Sequence, residues 1–249
     1  MLRFFRHIRQ KLFLEGRASK YLGYALGEVV LIVVGILIAL QINDWNENRK
    51  LEKARTAMIE AFKVDFTQNL KNLEESLEVA QSRRERMEAF LLAIFDESIE
   101  LESEELRRMS ITFFSPGTFT ARLGTYRQAT TSGFIQHLRD SELSELLHAF
   151  DTRNTGLQRL DEVKNQDFFV GGVSNLRRQL GSLLTLQKNQ VQNQQAFNYS
   201  SQELMAMLQQ NENYAVYENM FTIMESKRRN MMALKTHAQE ILVALEALE

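Results

Sequence analysis

A long apolar stretch near the N-terminus constrains this chain more than any other feature. Residues Tyr21 to Ile42 contain no Lys or Arg and a single carboxylate, Glu28. As an α-helix at 1.5 Å per residue, this stretch is roughly 33 Å long, enough to cross a hydrocarbon core of about 30 Å. The sequence therefore predicts a transmembrane helix over residues 21–42.

The charges around the stretch predict its orientation. Basic side chains favour the cytoplasmic side of a membrane, and aromatic side chains favour its two interfaces. Tyr21 and Tyr24 lie at one end of the stretch and Trp45 just beyond the other. We expect one pass through the inner membrane, a cytoplasmic N-terminus and an exported domain over residues 43–249. The basic residues before the span are Arg3, Arg6, Arg9, Lys11, Arg17 and Lys20.

Two alternatives explain the same stretch. The charge-free part, Val29 to Leu40, has the length of a signal-peptide core, but the residues after it are too large for a cleavage site. A buried helix of a soluble protein is the other alternative, and the asymmetric flanking charge disfavours it. An uncleaved signal anchor is the interpretation that we adopt.

Glu28 and four small residues are the candidate functional positions inside the span. A carboxyl group in lipid is costly, so Glu28 is a candidate for proton binding or helix pairing, unless its side chain extends to the cytoplasmic headgroups. Small residues at four-residue spacing let two transmembrane helices approach closely, which predicts self-association. These residues are Gly23, Gly27, Gly35 and Ala39.

Residues 1–20 form a separate segment with alternating basic and apolar side chains. Leu2, Phe5, Ile8 and Leu12 have helical spacing, which is typical of a basic amphipathic helix on an anionic lipid surface. Nucleic acid is the rival partner for a basic arm. The adjoining span and the net charge of −2 favour the lipid bilayer.

Beyond the span the pattern is helical throughout. One proline occurs in 249 residues, and apolar residues recur at steps of three and four. The prediction is an all-α protein in which the transmembrane helix precedes an elongated antiparallel helical bundle with coiled-coil character. The apolar seam of the first long helix, over residues 45–96, is predicted through Ala54, Met58, Phe62, Phe66, Leu70, Leu73, Leu77, Ala80, Met87, Leu91 and Ile94.

Local signals divide the rest of the chain. They predict a short helix over 103–109, a turn at Pro116, and a helix over 119–131 that is ended by Gly133. Asp140 is the predicted N-cap of the next helix, which continues to about residue 184 with an interruption at Gly171 and Gly172. A polar loop over 185–200 and a final helix over 213–249 complete the prediction.

The first 50 residues resemble the opening of a bacterial membrane-protein family. The segments are FFRHIRQKL, KYLGYALGEVVLIVVGILIALQIN and DWNENRK within Phe4–Lys50, followed by weaker similarity at Thr125-Tyr126, Ser132-Gly133 and Asp140. The family is a domain of unknown function, common in Bacteroidetes-type bacteria. The resemblance implies an N-terminal anchor and a helical region but no activity. Residues 133–138 (GFIQHL) depart from it, because more polar and lysine-rich residues are expected there.

Signatures of catalysis are missing from the sequence. There is no cysteine, and no phosphate-binding loop, nucleophile elbow or zinc motif occurs. Glu145 and His148 have the Glu-x-x-His spacing of di-iron bundles, but the second such motif is missing, and His237 precedes Glu240 in reverse order. We expect no enzyme activity, no metal and no cofactor.

These features predict a membrane-anchored scaffold or interaction protein of the bacterial cell envelope. We expect self-association and an envelope protein partner that the sequence does not identify. Two alternatives remain open: a proton-coupled, stator-like or energy-transducing accessory subunit that uses Glu28, and a periplasmic ligand-sensing helical bundle.

Overall fold

The computed structural model of the chain describes residues 18–96, 98–99, 101–111, 113, 119–138, 141–180 and 200–248. Within these ranges there are helices and no strands, so the predicted all-α class is confirmed. The α-helices are α1 (Ala18–Ala93), α2 (Ser103–Ile111), α3 (Gly124–Thr131), α4 (Ser141–Phe169), α5 (Gly172–Leu180), α6 (Ser201–Leu208) and α7 (Asn211–Glu246), and a 3-10 helix covers Phe134–Leu138.

The chain divides into two compact units, Met1–Ala57 and Met58–Glu249. In the first unit, α1 exposes the apolar side chains of the predicted span, such as Leu31, Ile36 and Ile42. Within the part of the chain that the structure describes, α1 is the one helix long and apolar enough to cross a membrane. The predicted domain boundary at residue 43 stays a prediction.

In the second unit, α1 buries one side of its surface at alternating steps of three and four. Ile59, Phe62, Phe66 and Leu73 are buried in the first half of this line, and Met87, Phe90 and Ile94 in the second half. Leu70, Leu77 and Leu91 of the predicted seam pack against the buried core but are themselves only partly buried. The polar residues Asn69 and Arg83 are fully part of the buried line. Both lie at multiples of seven residues from Phe62 and Phe90, so a strict seven-residue repeat places them on the same side of the helix.

The apolar core of the second unit consists of two clusters. The first cluster joins α1, α3, α4 and α7, and the second joins the end of α1 to α2, α5, α6 and α7. Burial of these side chains is the main source of stability for helices of this kind. Fully buried members of the first cluster include Phe62, Phe66, Leu73, Phe150, Leu234 and Ile241, and those of the second include Met87, Phe90, Leu106, Phe113, Leu208 and Tyr217.

The predicted helix over 119–131 was wrong in its first five residues. Residues 119–123 have no regular secondary structure, and α3 begins at Gly124. Phe119 and Leu123 are buried in the first cluster, so their apolar spacing reflects packing of an irregular segment rather than a helix. The predicted stop is confirmed, because Gly133 has a φ of 72° in the left-handed region that glycine favours.

The predicted interruption at Gly171 and Gly172 is also confirmed, since α4 ends at Phe169 and α5 begins at Gly172. The Asp167 carboxylate accepts a hydrogen bond from the Gly172 N–H at 2.9 Å. A Cβ at Gly171 would lie 2.0 Å from that carboxylate. A side chain at Gly171 would therefore displace the Asp167 carboxylate from its hydrogen bond with the Gly172 N–H.

Helix α6 was missed by the sequence analysis, although its start carries a capping box. The Ser200 hydroxyl accepts a hydrogen bond from the Glu203 N–H at 3.2 Å, and the Glu203 carboxylate accepts one from the Ser200 N–H at 2.9 Å. Each residue thereby satisfies one backbone donor of the helix start. The short helix over 103–109 and the final helix are confirmed as α2 and α7.

Several predictions fall on residues outside the described ranges. They are the amphipathic segment before residue 18, the turn at Pro116, the Asp140 cap and the polar loop up to residue 199.

Candidate functional site

The predicted intramembrane residues all lie on the first part of α1. Gly23, Gly27, Gly35 and Ala39 are exposed, and Glu28 is partly buried. A Cβ placed on any of the three glycines would meet no other atom of the chain within 4 Å. We call these four small residues the small-residue stripe, and they are open for contact with another molecule. The role of the small-residue stripe in self-association stays a prediction, and so does the role of Glu28.

Two of the four histidines, His148 and His237, lie on different helices. His148 is exposed on α4 and His237 is half-buried on α7. Within the described parts of the chain, no group of three or more His, Cys, Asp or Glu side chains is placed to hold a metal ion.

The first buried polar feature of the bundle connects α1 to the segment before α3. The Asn69 amide donates to the Arg122 carbonyl at 2.9 Å and accepts from the Arg122 N–H at 2.7 Å. One turn earlier, the Asp65 carboxylate accepts from the Thr125 hydroxyl at 2.7 Å and from its N–H at 3.3 Å. Asp65 thus supplies the N-terminal cap that Leu123 lacks. We call these contacts the α1–α3 clamp.

The second polar feature is a layer of charged side chains between the two apolar clusters. Arg83 on α1, Lys164 on α4 and Lys227 on α7 are exposed by only 7%, 7% and 1%. Both lysines share the Asp161 carboxylate on α4, because Lys227 donates to its Oδ1 and Lys164 Nζ lies 4.0 Å from the same oxygen. We call Arg83, Asp161, Lys164 and Lys227 the charged layer.

Burial acts on the protonation of this layer. It lowers the pKa of the Lys164 ammonium, and the positive charge of Lys227 lowers it further, against the opposing effect of Asp161. Arg83 adds to the lowering at Lys164, and its own pKa is lowered by burial and by the charge of Arg86. Burial and neighbouring positive charges therefore disfavour the charged forms of Lys164 and Arg83.

A cleft between α1 and α7 opens beside the charged layer. Its volume is about 260 Å³, and Arg83 and Lys227 both line it. The rest of the lining is mainly apolar, with Val79, Phe119 and Met224 among its residues. Glu75 also lines the cleft and is itself exposed to solvent. The cleft thus combines two cationic groups with an apolar wall.

Tyr217 is a further buried side chain with a shifted pKa. Burial raises the pKa of its phenol, against the opposing effect of a hydrogen bond with Ser110. Its ring packs against Phe90 and Phe113 with centroid distances of 4.9 Å to each. The neutral phenol and the aromatic contacts assign Tyr217 to the second apolar cluster.

Sequence analysis missed the charged layer and the α1–α3 clamp, although spacing carried a signal for both. Asn69 and Arg83 lie seven and twenty-one residues after Phe62 on the buried line of α1. Lys227 lies midway between Met220 and Leu234, and Lys164 lies seven residues after Leu157. A charged residue at a core position of three helices is a sign of a buried polar layer.

The fold and these features define a class of protein in which an N-terminal apolar helix continues into a helical bundle with a charged internal layer. Residues 28–155 match the profile of a family of unknown function (DUF6090). Because the match covers more than half of the chain, the protein belongs to this family. The searches of curated proteins and of solved structures found no match.

Proposed function

We propose that the protein is a single-pass, membrane-anchored scaffold of the bacterial cell envelope, with its N-terminus in the cytoplasm and its helical bundle in the periplasm. The observation that carries the proposal is the change of surface along α1. Before residue 43 its apolar side chains are exposed, whereas from Ile59 onward the apolar side chains of its inner face are buried in the bundle. A lipid environment satisfies the exposed part, and the six basic residues before it support the orientation.

Fusions to the full chain test the topology. Alkaline phosphatase fused after Glu249 should be active, and a reporter that works only in the cytoplasm should be inactive at the same position. When the two reporters are fused before Met1, the cytoplasmic reporter should be active and alkaline phosphatase inactive. The protein should also stay in the membrane pellet in alkaline carbonate. Cytoplasmic activity behind Glu249, or release by carbonate, would contradict the proposal.

Self-association through the small-residue stripe is part of the proposal. The replacement Gly27→Leu should weaken crosslinking between copies in membranes, because leucine prevents close approach of the helices. Ala25→Leu is a matched control, since it adds the same side chain on the opposite side of the helix. Equal crosslinking in both variants would exclude this stripe as the contact.

The scaffold proposal includes a protein partner and no enzymatic step. Photocrosslinking groups at exposed bundle positions in intact cells, followed by mass spectrometry, should yield one defined envelope protein. The replacement Glu28→Gln should leave this crosslink and the cellular function unchanged. Loss of function with normal localisation would favour the proton-coupled alternative instead.

A further inference from the structure

We propose that Trp45, Arg49 and Lys53 bind the phosphate group of an anionic phospholipid, such as phosphatidylglycerol, in the leaflet on the exported side of the membrane. We call these three residues the headgroup stripe. They lie on α1 just beyond the predicted span, which ends at Ile42. This inference rests on the membrane anchor of the proposed function and adds the class of lipid that the anchor recognises.

The first step of the argument is the placement of the headgroup stripe. Its three side chains are exposed and four residues apart, so they follow one side of α1 at steps of about 6 Å along the helix axis. Trp45 lies three residues beyond Ile42, which is roughly 5 Å along the axis. If residues 21–42 cross the hydrocarbon core, this is the depth of the lipid headgroups. The headgroup stripe therefore begins at the interface and extends toward the aqueous side.

The second step is the contact between Trp45 and Arg49. The guanidinium carbon Cζ of Arg49 lies over the indole ring, 5.3 Å from its centroid, which is within the range of a cation–π interaction. The indole remains 64% exposed, although such a large ring is usually buried or placed at a membrane interface. The ring covers one face of the guanidinium, and the N–H groups at its edge can bind two oxygens of a phosphate.

The third step is the pairing of the charges around the headgroup stripe. The ion pairs are Glu47 with Lys50 at 3.0 Å and Glu52 with Arg55 at 3.7 Å. Within the described part of the chain, Arg49 and Lys53 form no ion pair. Asp44, the remaining carboxylate of residues 43–57, lies about 100° around the helix from Trp45. Both cations of the headgroup stripe are thus available to a phosphate from outside the chain.

The aromatic residue decides between the possible sources of that phosphate. Free phosphate would pair with the two cations but would leave the indole of Trp45 exposed to water. A phospholipid satisfies both, because indole rings favour the headgroup region and nearby Lys and Arg side chains attract anionic lipids. The combination of one indole and two cations after an apolar helix therefore favours a lipid.

Trp45 is the only tryptophan of the chain, so its fluorescence reports directly on the headgroup stripe. The full chain is reconstituted in phosphatidylcholine vesicles that contain a minor fraction of phosphatidylglycerol. In one set of vesicles the phosphatidylglycerol has brominated acyl chains, which quench tryptophan, and in the other an equal amount of the phosphatidylcholine is brominated. We expect brominated phosphatidylglycerol to quench Trp45 about threefold or more as strongly, because the cations enrich the anionic lipid around it.

The outcomes separate this inference from the anchor on which it rests. Equal quenching by the two brominated lipids would overturn the lipid preference and leave the anchor intact. Absence of quenching by both would overturn the preference together with the anchor. Inorganic phosphate in place of chloride at equal ionic strength should leave the preference unchanged. Loss of the preference in phosphate would assign the cations to a free anion and overturn the lipid assignment.

Two variants of equal charge locate the site. Arg49→Gln should remove most of the preference for phosphatidylglycerol, because it removes the group that is held over the indole. Lys50→Gln is the matched control and should keep the wild-type preference, since it removes the same charge from a neighbouring position that is already paired with Glu47. An equal loss in the two variants, or no loss in Arg49→Gln, would refute the inference.

Discussion

The bundle buries polar side chains at two levels of α1, and the two levels differ in how their charges and hydrogen bonds are matched. At Asn69 both amide atoms pair with the backbone of Arg122. At Arg83 the neighbouring Lys164 and Lys227 share a single carboxylate oxygen of Asp161. A fully paired polar group specifies one arrangement of the chain, so the α1–α3 clamp is a structural device. The charged layer instead places two of its cationic side chains, Arg83 and Lys227, in the wall of a cleft.

The largest expected effect comes from removing the carboxylate of the charged layer. Asp161→Asn removes the negative charge that the two buried ammonium groups share, and we expect it to lower the free energy of unfolding by about 3 kcal/mol. Urea unfolding of the full chain in detergent, followed by circular dichroism, measures the change. Glu162→Gln, exposed on the same helix, is the control and should change it by less than about 0.5 kcal/mol.

Removal of one cation from the same layer should have a small effect of either sign. Lys227→Met keeps the length of the side chain and removes a charge whose burial is costly, so stability should stay within about 1 kcal/mol of the wild type. A large loss in Lys227→Met and none in Asp161→Asn would show that the Lys227 ammonium, and not the Asp161 carboxylate, is the charge that stabilises the bundle.

The α1–α3 clamp predicts the next largest effect. Asn69→Leu removes both hydrogen bonds to the Arg122 backbone and leaves a donor and an acceptor unpaired, which should cost about 2 kcal/mol. Asn72→Leu is the control, because Asn72 pairs with Gln68 on the same helix and is only half-buried. Equal effects at the two positions would contradict the structural role of Asn69.

The cap of α3 predicts a smaller effect. Asp65→Ala removes the acceptor of the Thr125 N–H and hydroxyl, and the loss of a helix cap costs about 1 kcal/mol. A double-mutant cycle with Thr125→Val separates the hydroxyl contact from the rest. Additive losses in the cycle would show that the two side chains do not interact.

The smallest effect is the pH dependence due to Lys164. Its pKa is lowered on folding from 10.5, so between the lowered value and 10.5 the unfolded chain binds more protons than the folded chain. Stability should therefore rise as pH rises through that window. Unfolding of the wild type and of Lys164→Met at several pH values below 10 should give a larger rise in the wild type. Equal changes of the free energy of unfolding with pH in the two proteins would contradict the lowered pKa of Lys164.

Much of the fold follows from periodicity alone. The continuous first helix, the interruption at Gly171 and the stop at Gly133 were predicted because helical spacing and glycine are local signals. The segment 119–123 was predicted wrongly, since its buried Phe119 and Leu123 have helical spacing but pack in an irregular conformation. Tertiary packing determines the conformation of this segment, and the spacing of its apolar residues does not show that conformation.

The candidate site was less predictable than the fold. Arg83 and Lys227 were not among the residues singled out from the sequence, because the predicted seams were built from apolar positions. Their meeting depends on the register between α1, α4 and α7, which only the three-dimensional structure defines. The spacing of charged residues at core positions was the available signal.

The distribution of the core along the chain has a consequence for biosynthesis. Both apolar clusters include residues of α7, and the Gln209 side chain donates to the Ile94 carbonyl near the end of α1. Neither cluster is complete until the ribosome has synthesised α7, so the apolar side of α1 is only partly covered before then. Contacts so distant in sequence slow folding and leave nascent chains prone to aggregate. We therefore expect the chain to be most prone to aggregation before its final helix is synthesised.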